Sequence, residues 1–142
     1  MNTTTSTRIT VSTRVAKPLD QVWNYWTGAE HVINWNAASD DWCCPHAEND
    51  LRIGGKFLCR MEARDGSMGF DFIGTYTQVV AHARIAYTME DGRTCEVLFA
   101  ADGNGTRITE TFDAEVENTV ELQRGGWQAI LDKFKAYAEA QG

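Results

Sequence analysis

Residues 120–139, "VELQRGGWQAILDKFKAYAE", constrain the fold more than any other stretch of this chain. Val120, Trp127, Ile130, Leu131, Phe134 and Tyr137 recur at helical spacing, so one side of a helix is apolar while the other carries charge. Just ahead of it, Asn118 and Glu121 have the pattern of a capping box. Roughly 20 residues at about 1.5 Å each make a rod of about 30 Å, as long as a small domain is wide. Such a rod needs a broad apolar surface to cover its stripe. Gly125 and Gly126 lie inside it, each lowering helix stability by about 1 kcal/mol relative to alanine. That weakness predicts either a closely approaching backbone or a need for empty space beside them.

The surface that could receive the rod is legible in the period of the preceding residues. In "RITVSTRVA", residues 8–16, apolar and polar positions alternate as in a half-buried strand. The period then lengthens: Leu19, Val22, Trp23 and Trp26 fall at i, i+3, i+4 and i+7, with Pro18 suited to a first turn and Gly28 to a helix end. A second short helix covers "AEHVINW" and ends near Asn36. From Leu51 to Ala114 the alternation returns, with Phe57, Cys59 and Met61 on one face of a strand and Phe70, Phe72, Gly74 and Tyr76 on one face of the next. Asp65-Gly66, Asp91-Gly92 and "ADGNGT" are hairpin-turn signals, so successive strands pair as a meander. The order predicts an α+β helix-grip fold: a curved antiparallel sheet of about seven strands around the C-terminal helix, with two short helices after the first strand.

The length of 142 residues fits one domain spanning 1–142, with residues 1–6 expected to be flexible. A formal net charge of −7 without a Lys/Arg cluster repels phosphate backbones and anionic lipid, so neither nucleic acid nor membrane is an expected partner. No signal-like apolar segment opens the chain and no run has the length of a membrane span, which points to the cytoplasm. In that compartment Cys43, Cys44, Cys59 and Cys95 are expected to be thiols.

Several segments, "PLDQVWNYWT", "DLRIGGKF", "FIGTYTQVVAHARIAYTMEDG", "GNGTRITETF" and "GWQAILDKFKAYAE", resemble the AHSA-type family, the homologues of the activator of the heat-shock chaperone ATPase. The resemblance runs from about Thr7 to Ala140, and its specific parts are "DLRIGGKF" and the "GW" of the last helix. It implies the START-like (SRPBCC) fold, with a deep cavity between sheet and helix, in a superfamily whose members bind apolar small molecules. It implies no shared catalytic residues.

"DDWCCPHAEND", residues 40–50, raises the question of a metal or redox site. Metal ligands usually come as spaced pairs, whereas Cys43 and Cys44 are adjacent and point to opposite faces of an extended segment. Trp42, Cys44 and His46 would share a face. The acidic flanks, Asp40, Asp41, Glu48 and Asp50, should raise a thiol pKa and discourage redox chemistry. No metal site and no cofactor is expected. Neither a nucleophile elbow nor a phosphate loop is present, and His31, His46 and His82 lack partners, so no catalytic residue is assigned. Glu110 shares strand parity with Ile108 and Phe112, which turns its carboxyl toward the cavity if those two face inward.

Trp26, Trp35, Trp42, Phe57, Phe70, Phe72, Tyr76, Tyr87, Phe99, Trp127 and Phe134 are candidates for an aromatic pocket wall. Met61, Ile130 and Leu131 would add aliphatic surface, and Glu110 a polar group. Three functional readings follow. The first is a binding protein for an apolar or amphipathic small molecule held between helix and sheet. The second is a protein-interaction or chaperone-cofactor-like module whose interior is filled by its own side chains. The third is an enzyme using Glu110 or His46 on a hydrophobic substrate. A homodimer is compatible with edge strands that need cover.

Overall fold

The computed structural model describes residues 7–141; the expectation about residues 1–6 lies outside them. The elements follow the order β1 (Arg8–Val15), α1 (Leu19–Thr27), α2 (Ala29–Trp35), β2 (Trp42–Asn49), β3 (Lys56–Ala63), β4 (Gly69–Val80), β5 (Arg84–Met89), β6 (Thr94–Asp102), β7 (Gly105–Asp113) and α3 (Val120–Glu139). The strands form one curved antiparallel sheet in the order β1-β7-β6-β5-β4-β3-β2, so the meander is closed at one side by the first strand pairing with the last. This is the helix-grip arrangement.

Register fixes which side chains line the concave face. Ile9 stands opposite Phe112, and Phe112 opposite Cys95, giving one inward row; Val11, Glu110 and Val97 form the next. Ile9, Val97, Ile108 and Phe112 are all fully buried. The helix α3 lies over this half of the sheet and packs on β1 and α2. Its side chains divide by position: Leu131, Phe134 and Ala138 are fully buried, while Trp127 and Ile130 are only partly so. Two aromatic contacts clamp it. Trp127 stacks flat on Phe112 with ring centroids 3.8 Å apart, and Phe134 stands edge-on to both Trp26 and Trp35 at 4.9 Å. Truncating a buried phenylalanine such as Phe134 to alanine removes about 3–5 kcal/mol.

Of three local expectations, two change and the one for Gly125 and Gly126 narrows to one of its alternatives. The N-cap of α3 is Thr119, whose Oγ1 accepts from Leu122 N at 3.1 Å. Asn118 instead donates through Nδ2 to Glu115, because the chain bends before the helix rather than at it. The second concerns Gly125 and Gly126: a Cβ at either would have nothing within 4 Å, so open space, not a close backbone, accompanies them. The third is the face shared by Trp42, Cys44 and His46. The β2–β3 register shifts between Cys43 and His46, a bulge that leaves Cys44 buried and turns His46 outward.

The close approach that glycine does permit is at Gly74, where a Cβ would stand 2.4 Å from the Phe57 ring and 3.0 Å from Tyr87. Phe57 cannot withdraw, being packed against Phe72, Tyr76 and Tyr87 with centroids 5.5, 5.5 and 4.8 Å away. Gly74→Ala is expected to destabilise the protein by about 1–3 kcal/mol through overpacking. Gly126→Ala, into open space, is expected to stabilise it by up to about 1 kcal/mol. Urea unfolding of both variants checks the opposite signs.

Candidate functional site

The helix α3 packs on β1 and, through Trp127, on Phe112 of β7, and a cavity of about 330 Å³ remains over the concave surface of β3, β4 and β5. Its floor is Phe57, Cys59 and Met61 of β3, Phe70, Phe72 and Tyr76 of β4, Ile85 and Tyr87 of β5, and Glu110 of β7. The roof comes from Trp26 of α1, from Ala29, Val32, Trp35 and Asn36 around α2, and from Trp127 and Ile130 of α3. Ala47, Glu48 and Asn49 of β2 close one side and Arg93, in the β5–β6 turn, stands at the other. The walls are mainly apolar and aromatic, with few polar groups among them, as is usual for small-molecule sites.

The structure brings the candidates Trp26, Trp35, Phe57, Met61, Phe70, Phe72, Tyr76, Tyr87, Glu110, Trp127 and Ile130 around one space. Four other candidates stand elsewhere. Phe99, Leu131 and Phe134 are consumed by core packing, with Phe99 against Trp23 and Trp26. Trp42 stacks edge-on with Phe70 at 6.0 Å, outside the lining. Parity says which face a residue occupies, but not whether a helix already covers that part of the face. Ala29, Val32, Asn36, Ala47, Asn49, Cys59 and Ile85 line the cavity too, although sequence reasoning passed over them as pocket residues. For Cys59 the signal was present, since it alternates with Phe57 and Met61.

Polar groups at the cavity form two sets. At one side Tyr76 donates its hydroxyl to Asn49 Oδ1 at 2.5 Å, and Asn49 Nδ2 donates to Thr27 O at 2.6 Å. That chain ties the sheet to the end of α1. Burial pushes the Tyr76 phenol up, so it stays a donor. On the floor, Glu110 is 6 % exposed, and burial pushes its carboxyl up to about 8. Its side-chain neighbours include the Cys95 thiol, 4.0 Å from Oε2, and the buried Tyr87 phenol. Cys95 is held as a thiol by burial first and by Glu110 second.

Cys44 and Cys59 form the remaining feature. The Cys59 thiol donates to Cys44, lowering the Cys44 pKa and, with burial, raising that of Cys59. Cys44 therefore shifts opposite to the expectation from the acidic flanks, because Asp40, Asp41, Glu48 and Asp50 are exposed and the bulge turns this thiol inward. His46 is exposed and does not line the cavity; its Nε2 pairs with Glu48 Oε2 at 2.7 Å, which keeps it apart from Glu110. His31 bonds Tyr137 Oη through Nδ1 at 2.6 Å, and His82 packs on Trp23. Among the described residues no group of three or more His, Cys, Asp or Glu is placed to hold a metal ion, and no helix is long and apolar enough to cross a membrane.

The model of the family "Activator of Hsp90 ATPase homolog 1-like protein" matches residues 16–139. Among solved structures, the AHSA1-like protein from Aeromonas hydrophila is 44% identical, with 94% of this chain and 93% of that one covered at a TM-score of 0.89. A protein from Cytophaga hutchinsonii is 47% identical over 93% of this chain and 92% of its own, with a TM-score of 0.82. Protein CV1439 from Chromobacterium violaceum, at 20% identity, 94% and 98% coverage and a TM-score of 0.84, shares the fold. Comparison with curated proteins finds no match.

Glu110 links the cavity to pH. Unfolded, it ionises near the ordinary 4.5; folded, near 8. Its contribution is fully present below pH 4.5 and is lost as pH rises to about 8, at roughly 1.4 kcal/mol per unit, because the unfolded chain gives up its proton first. The urea midpoint of Glu110→Gln should therefore rise relative to that of the wild type as pH goes from 4 to 8, the gap being smallest at pH 4 and largest at pH 8. Parallel pH dependences for the two proteins would show that Glu110 is not desolvated.

Proposed function

This chain belongs to the activator of Hsp90 ATPase homolog 1-like family, and we propose that it binds an apolar or amphipathic small molecule in the hollow between α3 and strands β3 to β5. The observation that carries this reading is the hollow itself. A space of about 330 Å³, at the lower end of the range of about 300–1,000 Å³ for small-molecule sites, persists beside a sheet half that is otherwise packed solid. The hollow is partly open to solvent, and its mainly apolar lining lacks the dispersion contacts that a packed interior has. A guest restores them. An interaction module with an interior filled by its own side chains would leave no such space.

The polar groups suit orientation rather than turnover. His46 pairs with Glu48 and is not in the lining, so it does not form an acid-base pair with Glu110. The bound molecule would lie along the aromatic floor, with Tyr76 and Asn49 at one side and Glu110 beneath it.

N-phenyl-1-naphthylamine, a neutral dye whose emission rises in apolar surroundings, tests the hollow. The wild type is expected to bind it with micromolar affinity. Ile130→Trp, which fills the roof, should weaken binding at least about tenfold, equivalent to roughly 1.4 kcal/mol. A dye that ignores the wild type, or binds the variant equally well, would overturn the proposal.

A further inference from the structure

A purely apolar guest leaves one feature of the cavity unused. Glu110 is a single carboxyl set into an aromatic floor, opposite Val11 and Val97, with the long and weak contact from Cys95 as its side-chain hydrogen bond. A buried carboxyl without a cation or strong donors lowers stability, so a carboxyl kept in such a place calls for a partner. The chain itself does not provide one among the described residues. Arg93 is the basic side chain that lines the cavity, and it is engaged elsewhere, its Nε donating to Asp91 Oδ2 at 2.7 Å and its Nη1 to Asp113 O at 3.4 Å.

The surroundings of Glu110 favour a positive charge arriving from outside. Trp26, Trp35, Phe57, Phe72 and Trp127 line the space, and aromatic rings attract ammonium groups. The titratable groups near the carboxyl are Tyr87 on β5 and Cys95 on β6, both kept neutral by burial. Further along the lining are Tyr76 on β4, Cys59 on β3, Glu48 on β2 and the engaged Arg93; the lining residues of α1, α2 and α3 carry no titratable group. Arg8 of β1 acts on Cys95 from a distance and is itself paired with Asp113. The net charge of −7 adds a field that draws cations toward the protein.

We propose that the cavity is a receptor for a hydrophobic amine, whose ammonium head pairs with the Glu110 carboxylate while its apolar body lies between α2, α3 and the aromatic floor. The inference rests on the ligand-binding reading above and narrows it to one chemical class. Its proton balance is explicit. Free protein at neutral pH carries Glu110 mainly as the acid, since its carboxyl is pushed up to about 8. A protonated amine then displaces that proton to solvent: carboxylic acid plus ammonium ion gives the carboxylate–ammonium pair plus one hydrogen ion. A neutral alcohol or ketone accepts a hydrogen bond from the acid and releases nothing.

Isothermal titration calorimetry with 1-naphthylmethylamine, 1-naphthylmethanol and 1-naphthoic acid, in phosphate and in Tris, separates these cases. At pH 7.5 the amine is expected to bind at least about tenfold more tightly than the alcohol, as a charge-assisted pair predicts. Its heat should differ between buffers by an amount corresponding to most of one released proton, fading as pH rises above 8. Below that, amine affinity should rise about tenfold per pH unit by linkage. In Glu110→Gln the amine-to-alcohol ratio should fall to about one and proton release should vanish; if that variant does not fold, the proton release and pH slope of the wild type decide alone. An amine that binds no better than the alcohol, or without proton release, overturns the proposal and leaves apolar binding standing. If none of the three displaces N-phenyl-1-naphthylamine, the amine site falls while the hollow stands. If that dye does not bind either, both readings fall.

Discussion

The off-centre seat of α3 governs everything else in the structure. Leu131, Phe134 and Ala138 are fully buried as the helix packs on β1, the Trp127–Phe112 stack joins it to β7, and the Trp26–Phe134–Trp35 cluster joins it to α1 and α2. A helix is only about 10 Å across, so one rod cannot cover seven strands spaced about 4.8 Å apart. Fastening it over one half leaves the other half to the much shorter α2, which bridges without filling. The hollow follows from that mismatch in width.

The two halves consequently do different work. In one half the row Ile9–Phe112–Cys95 and the row Ile108–Phe99, the latter against Trp23 and Trp26 of α1, are buried from solvent and supply stability. Across from it, Phe57, Phe72, Tyr76 and Tyr87 pack sideways against one another, along the sheet, as much as upward, which lets the floor keep its shape with space above it. Gly74 belongs to this device, since the Phe57 ring lies flat only where no side chain stands beneath it. Asn49 then fixes the height of the roof by joining Tyr76 to the last turn of α1.

Much of this was legible before any coordinates. The change of period from two to 3.6 and back marked the elements, and parity put Glu110 on the same side as Ile108 and Phe112, a side that burial in the structure makes the inner one. What parity could not convey was lateral position: Phe99 and Leu131 carry the same inward signal as Tyr87 and Ile130 but sit under or within the helix contact. The β2 bulge was hidden for a different reason. A register shift between Cys43 and His46 is set by the partner strand, and it brought Cys44 to Cys59 instead of into line with His46. The cap of α3 was misplaced by one residue because Asn118 and Thr119 are both good cap formers, and Glu115 takes the first of them.

The pairing of the first strand with the last has a bearing on how the molecule assembles. Strands β2 to β7 join neighbour to neighbour through short connections, so the floor of the hollow arises from contacts close in sequence. The solid half requires Arg8 to meet Asp113, Lys17 to reach the Gln141 carbonyl and Ala16 to reach Glu139, contacts that close loops of 100 residues and more. Closing such loops sacrifices chain entropy before it is rewarded, which makes it the slow stage. The floor of the hollow is therefore drafted early and locally, and the docking of the two distant ends of the chain comes after it.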